Sequence, residues 1–332
     1  MNFAGKTALV TGATGFLGGA LTLRLADEGA HVRALARSPE KGAFLRGCTN
    51  LEIVTGDVTD ADRMRELANG CDYVFHVAAM LGANAGGLKT MRVVNVQGTS
   101  NVANAAVDAG VERIVFVSSI AYYGYRHTQD VTENMPWTPS RDPYVITKRE
   151  GECVVREAEN ERGLSYSIIR PGMIYGPRSG MWTGNVYRLA RLRSTIWLGK
   201  GDGFAHPIHI DDVVQQMLIQ AAHPAAHKQA FNSSPDPAPT WREFLGSYQR
   251  LAGNQRWLSI PYAPVNAVAS AVGNLVSRSN DPMWLDFIRF TQRRITYKMT
   301  KARELLGWQP QIDLESGINS CAAWLRQEGL LA

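Results

Sequence analysis

Two side chains that could move a proton stand four positions apart in this chain. Tyr144 and Lys148 would lie one turn apart on the same face of a helix. A phenol has an ordinary pKa near ~10, and a neighbouring ammonium favours the phenolate and lowers that pKa. Tyr144 could therefore act as a general acid or base. The spacing is common in helices, so its meaning depends on the surrounding residues.

A glycine-rich segment near the amino terminus predicts a dinucleotide site. The stretch from Val10 to Gly18 reads Val-Thr-Gly-Ala-Thr-Gly-Phe-Leu-Gly, after an apolar strand and before a helix. Its three glycines allow a tight turn, a close approach of the backbone to a pyrophosphate, and close packing of a helix whose first N–H groups attract the anion. The expected cofactor contacts in this segment are Gly12, Thr14, Gly15, Phe16, Leu17 and Gly18. Together with Tyr144 and Lys148, they favour hydride transfer on a nicotinamide, whose oxidised form would lower the pKa of Tyr144 further.

The end of the second predicted strand indicates which dinucleotide fits. An acidic residue there accepts from the ribose 2′-hydroxyl, whereas an arginine accommodates a 2′-phosphate. The segment reads Ala34-Leu-Ala-Arg-Ser38 and has no carboxylate. Arg37, with Ser38 or Lys41, could hold the phosphate, although Arg37 could equally be a solvated surface charge. NADP(H) is preferred on this pattern, and NAD(H) is possible.

Further cofactor contacts are expected at the ends of two more strands. Asp57, followed by Val58, could accept from the adenine amino group, and it could also cap the helix predicted from Asp60 to Leu67. Ala78 and Ala79 supply small side chains where backbone must run beside a flat cofactor.

Paired serines end another apolar strand. Ser118 and Ser119 follow the run from Ile114 to Val117, at a carboxyl strand end. One of the two hydroxyls could donate to a substrate carbonyl oxygen, or both could simply end the strand, because serine is common in turns.

Apolar runs alternate with helical stretches through the first half of the chain. The strand candidates are Thr7 to Thr11, His31 to Ala36, Leu51 to Val54, Tyr73 to Val77, Ile114 to Ser118 and Tyr166 to Arg170. This alternation predicts an α/β fold of the Rossmann type, a doubly wound parallel sheet with helices on both faces. Residues 1–170 would form the NADP-binding domain. Residues 171–332 would form mainly a smaller substrate-binding lobe, with segments such as 205–232 returning to the Rossmann core.

The composition limits the other function classes. The chain has 332 residues and a formal net charge of +5 without a long basic run, so no nucleic-acid partner is expected. Its four cysteines show neither disulfide nor zinc spacing, and no metal is expected at His206, His209 and Asp211. The apolar stretch from Pro264 to Val276 is too short to span a bilayer. It could lie on a membrane surface or cover an apolar pocket, but an ordinary packing helix is favoured, and the protein is expected to be cytoplasmic.

In order and spacing, a set of motifs resembles the extended short-chain dehydrogenase/reductase family, which includes nucleotide-sugar epimerases, 3β-hydroxysteroid dehydrogenases and dihydroflavonol reductases. Beside the glycine segment and the Tyr144/Lys148 pair, the motifs begin at Gly56 (GDV), His76 (HVAA), Asn95 (NVQGT), Ser118 (SSIAYYG), Arg170 (RPGMIYGP), His209 (HIDD) and Lys301 (KARELLGW). The resemblance implies that Ser119 is the catalytic serine, that Lys148 also holds the nicotinamide ribose, and that Pro171 contacts the cofactor. It also implies a homodimer.

Two positions bear on the substrate class. Family members that act on nucleotide sugars usually carry Asn where this chain has Met173 and Arg where it has Ala205. The pattern is more similar to 3β-hydroxysteroid dehydrogenases and related ketone reductases, which implies a largely apolar alcohol or ketone. Residues that could line its pocket, or could simply belong to the core, are Met80, Tyr123, Trp137, Met173 and Trp182.

The sequence therefore favours an NADP(H)-dependent alcohol or ketone oxidoreductase with Ser119, Tyr144 and Lys148 as its catalytic residues. A nucleotide-sugar epimerase or dehydratase with tightly bound NAD is the first alternative. A non-catalytic dinucleotide sensor is the second, although a sensor would not need these three residues.

Overall fold

The centre of the molecule is a sheet of seven parallel strands, which confirms the predicted doubly wound fold. The computed structural model describes residues 3–81, 86–265, 267 and 289–331. In chain order the sheet contains β1 (Thr7–Thr11), β2 (His31–Ala36), β3 (Leu51–Thr55), β4 (Tyr73–His76), β5 (Arg113–Val117), β6 (Tyr166–Pro171) and β10 (Gln229–Ser233). Their order across the sheet is β10-β6-β5-β4-β1-β2-β3. The strand order reverses between β1 and β4, and ligands of open parallel sheets bind at such a point.

Helices cover both faces of this sheet. The α-helices whose two ends both lie within the described residues are α1 (Phe16–Asp27), α2 (Ala61–Ala68), α3 (Gly87–Arg92), α4 (Gly98–Asp108), α5 (Pro143–Arg162), α6 (Val186–Ala190), α7 (Ile210–Ala222), α8 (Trp241–Leu251), α9 (Thr300–Leu306), α10 (Leu314–Ser320) and α11 (Ala322–Gln327). Short 3₁₀ segments are Pro39–Leu45, Ile120–Tyr123 and Pro224–Ala226, and π-helical turns are Val93–Gln97 and Gly180–Asn185.

The hydrophobic core has one layer on each side of the sheet. On one side α1 and α7 bury Leu21 and Met217 against the strands. On the other side α2, α4 and α5 bury Met64, Val102 and Val155. This arrangement explains why the strands read as continuous apolar runs, since both faces of each strand are covered.

The carboxyl-terminal half divides its residues between the sheet and a smaller lobe. Segment 210–233 supplies α7 and the edge strand β10, which pairs with β6. The lobe has its own core, in which Trp241, Phe244 and Tyr248 of α8 are buried. It also contains two small parallel sheets, one of β7 (Met173–Tyr175) with β9 (Pro207–His209) and one of β8 (Thr195–Leu198) with β11 (Trp257–Ile260).

The apolar stretch from Pro264 to Val276 can be compared with the structure only in part. Most of the stretch from Pro264 to Val276 lies outside the described residues. Elsewhere in the described chain, no helix combines the length and the apolar character that a bilayer span requires. The four cysteines are free thiols, and Cys153 is exposed.

Candidate active site

The glycine segment forms a tight turn between β1 and α1. Gly12 has a positive φ of 69°, and a Cβ added there would lie 2.8 Å from the backbone nitrogen of Ala78 at the end of β4. Gly15 is the N-cap of α1, and its N–H donates to the carbonyl of Gly12 at 2.9 Å. The first N–H groups of a helix have no acceptor within the helix. A turn without side chains, open beside such a helix start, fits the pyrophosphate of a dinucleotide.

The side chains of this segment differ in their surroundings. Thr14 and Phe16 are partly exposed, whereas Leu17 is buried in the core beside the sheet. Leu17 can therefore meet a cofactor only through its backbone. The sequence analysis missed Arg178, whose guanidinium lies 3.5 Å from the ring centre of Phe44. Phe44 closely approaches Gly19 of α1, so a cation from the lobe lies near the glycine segment.

Arg37 follows β2 and is exposed, with no hydrogen bond or ion pair to another residue of the described ranges. Ser38 is engaged differently, because its hydroxyl donates to the Glu40 carboxylate at 2.8 Å. Of the residues proposed for a 2′-phosphate, Arg37 and the exposed Lys41 remain available.

Asp57 does not cap the helix that follows it, which corrects one of its two expected roles. The N-cap of α2 is Asp60, whose carboxylate accepts from the N–H of Arg63. Asp57 instead accepts from the N–H and the hydroxyl of Thr59, both at 2.9 Å. Val58 beside it is buried against Gly98 of α4. Asp57 thus remains at the carboxyl end of β3 with its turn fixed locally.

A buried hydrogen-bond chain supports the backbone of Val77 and Ala78, next to Ala79. The Thr11 hydroxyl oxygen accepts from the N–H groups of Val77 and Ala78, both at 3.1 Å, so its proton is directed to His76 Nδ1 at 2.8 Å. The single N–H proton of the His76 ring is then on Nε2, which donates to the Thr99 hydroxyl at 2.9 Å. Burial, with a smaller effect of Lys148, lowers the pKa of His76 to about 3, in agreement with a neutral ring.

The same chain continues towards α5. Thr99 donates to the carbonyl of Asn95 at 2.6 Å. The Asn95 side chain accepts from Met80 N–H at 2.7 Å and donates to the Met80 carbonyl and to Thr147. Thr147 lies between Tyr144 and Lys148 in the chain, so this network joins the loop after β4 to the helix that carries the proposed catalytic pair.

The three proposed catalytic residues come together where the carboxyl end of β5 lies beside the first turns of α5. Asp142 caps α5 by accepting from the N–H of Tyr144 at 2.8 Å. The side chains of Tyr144 and Ser119 are neighbours, and the Ser119 hydroxyl accepts from the N–H of Ala121 at 3.1 Å. Lys148 is buried, donates to the carbonyl of Val117 at 2.7 Å, and has its Nζ 5.7 Å from the centre of the Tyr144 ring. Residues separated by 29 positions in the chain therefore share one small site.

Burial dominates the ionisation of this site. It raises the pKa of Tyr144 to about 12, with the neighbouring Ser119 hydroxyl opposing the shift and the charge of Asp142 adding to it. The expected lowering of the Tyr144 pKa is therefore wrong for the protein chain by itself. Burial also lowers the pKa of Lys148 to about 8, against the opposing charge of Glu152. Below pH 8 the site holds a neutral phenol beside an ammonium.

Ser118 differs from Ser119 in its contacts, because its buried hydroxyl has no hydrogen-bond partner among the described residues. Glu152 of α5 forms a buried two-point ion pair with Arg170 at 2.8 and 2.7 Å. Burial alone would raise the pKa of Glu152, but the charge and hydrogen bonds of Arg170 hold it below its ordinary value. Arg170 also donates to the hydroxyl of Tyr123 at 2.7 Å, and that hydroxyl donates to Asn232 at 2.6 Å.

The five residues expected in a substrate pocket do not share one surface. Tyr123 is fully buried with both its hydroxyl contacts used, so it is a structural residue of the Arg170 network and not a pocket lining. Met173 belongs to the core of the lobe, and the partly buried Trp182 packs against that core. Trp137 is 53% exposed and packs against the guanidinium of Arg149, and Met80 lies in the loop after β4. Pro171 ends β6 and pairs with Ser233 of β10.

The histidines of the lobe have structural contacts. His209 caps α7 by accepting from the N–H of Asp211 at 3.3 Å, and Asp211 and Asp212 occupy the first turn of that helix. His206 is packed against the rings of Tyr297 and Phe290, and burial lowers its pKa to about 3. Within residues 3–81, 86–265 and 289–331, no cluster of three His, Cys, Asp or Glu residues could hold a metal.

Comparison with known proteins adds to this geometry. A profile of the NAD dependent epimerase/dehydratase family matches residues 8–233. A UDP-glucose 4-epimerase from Mycolicibacterium smegmatis is 31% identical, over 96% of this chain and 98% of that protein. A 4-hydroxy-2-methyl-3-oxo-4-farnesyl-3,4-dihydroquinoline-1-oxide ketoreductase from Stigmatella aurantiaca is 29% identical, over 96% of each chain.

Two further similarities are more distant or partial. A 3beta-hydroxysteroid-dehydrogenase/decarboxylase isoform 1 from Arabidopsis thaliana is 27% identical over 81% of this chain. The aligned region spans only 65% of that longer protein. The crystal structure of a UDP-glucuronic acid 4-epimerase from Bacillus cereus in complex with NAD has a TM-score of 0.79 at 18% identity, covering 97% of this chain and 99% of that one. At that identity the structural likeness concerns the fold.

Proposed function

Because the chain belongs to the NAD dependent epimerase/dehydratase family, we propose that it is an oxidoreductase that moves hydride between NADP(H) and a largely apolar secondary alcohol or ketone. The observation that carries this proposal is the convergence of Ser119 and Tyr144 beside the buried Lys148. In this proposal the three side chains act together in proton transfer to the substrate oxygen.

In the direction of reduction, the chain's own residues handle the proton. The reduced nicotinamide, when bound, supplies the hydride that the carbonyl carbon accepts. Ser119 donates a hydrogen bond to the carbonyl oxygen, and Tyr144 donates its hydroxyl proton to the same oxygen. Lys148, charged below its pKa of about 8, stabilises the phenolate that remains on Tyr144. Oxidation of the alcohol runs through the same contacts in reverse.

The preference for NADP(H) rests on Arg37. Its guanidinium is exposed at the end of β2 and has no partner within the described parts of the chain. A free cation at this position of a Rossmann sheet suits a 2′-phosphate, and the segment has no carboxylate that would accept from a 2′-hydroxyl. Glu40 is the nearest acidic residue in sequence, and it accepts from Ser38.

The proposal of an apolar substrate rests on the residue types at two positions in the lobe. Met173 and Ala205 are both buried and belong to one apolar cluster. Neither side chain can donate to a nucleotide diphosphate or to a uracil ring. The relatives named as a ketoreductase and as a hydroxysteroid dehydrogenase/decarboxylase support the same class.

Purified protein tests this proposal with NADPH and NADH, each against a panel of apolar cyclic and long-chain ketones. We expect ketone-dependent oxidation of NADPH that Tyr144→Phe abolishes. Oxidation that continues unchanged in Tyr144→Phe, or a panel without any turnover by the wild-type protein, would count against it. Light scattering checks the associated expectation of a homodimer.

A nucleotide-sugar epimerase is the second candidate, and the similarity to a UDP-glucose 4-epimerase over nearly the whole chain favours it. The two candidates differ in how they hold the cofactor. An epimerase returns the hydride to the same substrate on a trapped cofactor, whereas a dehydrogenase exchanges cofactor in every turnover. Acid release from protein purified without added nucleotide separates them. Near-stoichiometric NAD(H) would support the epimerase, and an empty site or partial NADP(H) would support the ketone reductase.

A further inference from the structure

The small sheet of β8 and β11 has two apolar faces. The parallel register pairs Ile196 with Leu258 and Leu198 with Ile260, so these four side chains share one face of the sheet. Ile196, Leu258 and Ile260 are 52%, 53% and 40% exposed. We call these four residues the aliphatic face. A sheet with one side packed on a core normally carries polar residues on the other side.

The opposite face anchors this sheet to the lobe. Trp197 stacks on the buried Trp241 with ring centres 5.2 Å apart, and it also contacts Trp257 of the neighbouring strand at 6.1 Å. Thr195 is fully buried and accepts from Gln249 of α8 at 2.9 Å. The aliphatic face is therefore presented by a sheet that is fixed on its inner side by aromatic packing.

Positive charge surrounds the aliphatic face. Residues 186–201 contain four arginines and lysines and no carboxylate, and residues 250–265 contain two arginines and no carboxylate. Arg193 and Lys200 flank β8, and Arg256 precedes β11. All three residues are exposed, and their charged side chains have no hydrogen-bond or ion-pair partner among the described residues. The first carboxylate beyond β8 is Asp202, which is also exposed.

We propose that the aliphatic face docks this protein on the surface of an anionic lipid bilayer. Aliphatic side chains that enter the headgroup region, with Lys and Arg beside the lipid phosphates, are the two contributions that hold peripheral proteins on membranes. The surface is small, because two paired strands of four residues, each about 13 Å long, present a face on the order of 100 Å². That area is far less than the roughly 800 Å² per partner of a stable protein interface. A second copy of the chain would bring the same positive charge to the contact.

This inference stands apart from the proposed function, because vesicle binding needs no turnover. If the enzyme also reduces apolar ketones, docking through the lobe would bring it to the phase in which such substrates dissolve. The structure assigns the contact to the two strands and to their flanking cations alone.

Co-flotation of the full chain with vesicles tests the proposal. One set of vesicles contains phosphatidylcholine only, and the other contains phosphatidylcholine with phosphatidylglycerol. We expect binding to the second set that weakens as salt is raised, and little binding to the first. Absent binding to both sets, or equal binding to both, would overturn the proposal.

Two double variants identify the surface that binds. In Arg193→Gln/Arg256→Gln, the partition coefficient should fall roughly 30-fold, since each cation near an anionic surface contributes about a fivefold change. Ile196→Ser/Leu258→Ser should lose binding as well. The matched controls are Lys89→Gln and Leu305→Ser, which change an exposed cation and a 40% exposed leucine elsewhere.

The variants must keep their folded structure, which circular dichroism and the melting temperature report. Equal binding by the surface variants and their controls would refute the assignment to the aliphatic face. Sedimentation without vesicles tests whether a second copy of the chain occupies the aliphatic face instead. A dimer that Ile196→Ser/Leu258→Ser dissociates, with no loss of vesicle binding, would show that the face joins two copies of the chain and would overturn the proposal.

Discussion

The buried imidazole of His206 should make the stability of this protein depend on pH in a calculable way. Only 1% of His206 is exposed, its ring centre lies 4.7 Å from that of Tyr297, and burial lowers its pKa from 6.5 to about 3. Between those two values the unfolded chain binds a proton that the folded protein does not bind. The free energy of unfolding must therefore fall as the pH falls below about 6.5.

The two pKa values give the size of this effect. From pH 6.5 to 4.5, the His206 contribution to the free energy of unfolding decreases by about 2.3 kcal/mol, approaching about 1.4 kcal/mol per pH unit at the acid end. His206→Phe keeps an aromatic ring among Tyr297 and Phe290 and removes the titrating group. The difference in unfolding free energy between wild type and variant cancels the effect of the other titrating groups. That difference should shift by about 2.3 kcal/mol in favour of the variant.

Urea denaturation at several pH values between 7.5 and 4.5 measures this difference. His31→Phe provides the control, because it makes the same substitution at an exposed histidine. A difference between wild type and His206→Phe that stays constant over this range would refute the reasoning. It would mean that the folded protein binds the proton as readily as the unfolded chain.

The other predictions concern the proposed reaction. Tyr144→Phe should lower turnover by roughly 10² to 10⁴ while the affinity for NADP(H) stays nearly unchanged, as fluorescence titration would measure; unchanged turnover would remove Tyr144 from the mechanism. Ser119→Ala should lower kcat/KM for ketone reduction, whereas Ser118→Ala should leave kcat/KM nearly unchanged, since the buried Ser118 hydroxyl has no hydrogen-bond partner among the described residues. In wild type, kcat/KM for reduction should fall as the pH rises through about 8, where Lys148 loses its charge; a profile that stays flat to pH 10 would exclude that role. Arg37→Asp should lower the ratio of NADP to NAD affinity by roughly 100-fold, from the loss of a charged hydrogen bond to phosphate; an unchanged ratio would make Arg37 a bystander.

Local sequence patterns were sufficient for the sheet and for the glycine turn. β1, β2 and β5 are short runs of apolar residues that end at glycine, serine or polar residues, and such runs have few alternative structures. Gly12 is required by a close approach to Ala78, but the turn itself can be recognised from the spacing of three glycines. Asp57 shows the limit of local reasoning, because Asp60 offers a second carboxylate three residues later and takes the capping position.

Contacts between distant parts of the chain were beyond local patterns. His76 receives one hydrogen bond from a residue 65 positions away and gives another to a residue 23 positions away. The small residues after β4 predicted a backbone segment beside the cofactor. They did not predict that the Thr11 hydroxyl would hold this backbone through hydrogen bonds. Similarly, the aromatic character of Tyr123 suggested a pocket, and only its contacts with Arg170 and Asn232 reveal a buried structural role.

The ionisation of Tyr144 depends on the same kind of information. The four-residue spacing correctly brings Lys148 near the phenol, but the Lys148 ammonium donates to the Val117 carbonyl and is itself buried. Desolvation then acts on both groups in opposite directions, raising the pKa of the phenol and lowering that of the ammonium. A protein that keeps the phenol neutral and the ammonium charged at pH 7 holds its proton ready for donation. The resting state of the site is therefore suited to reduction of a carbonyl, and oxidation of an alcohol requires that a bound oxidised cofactor first favour the phenolate.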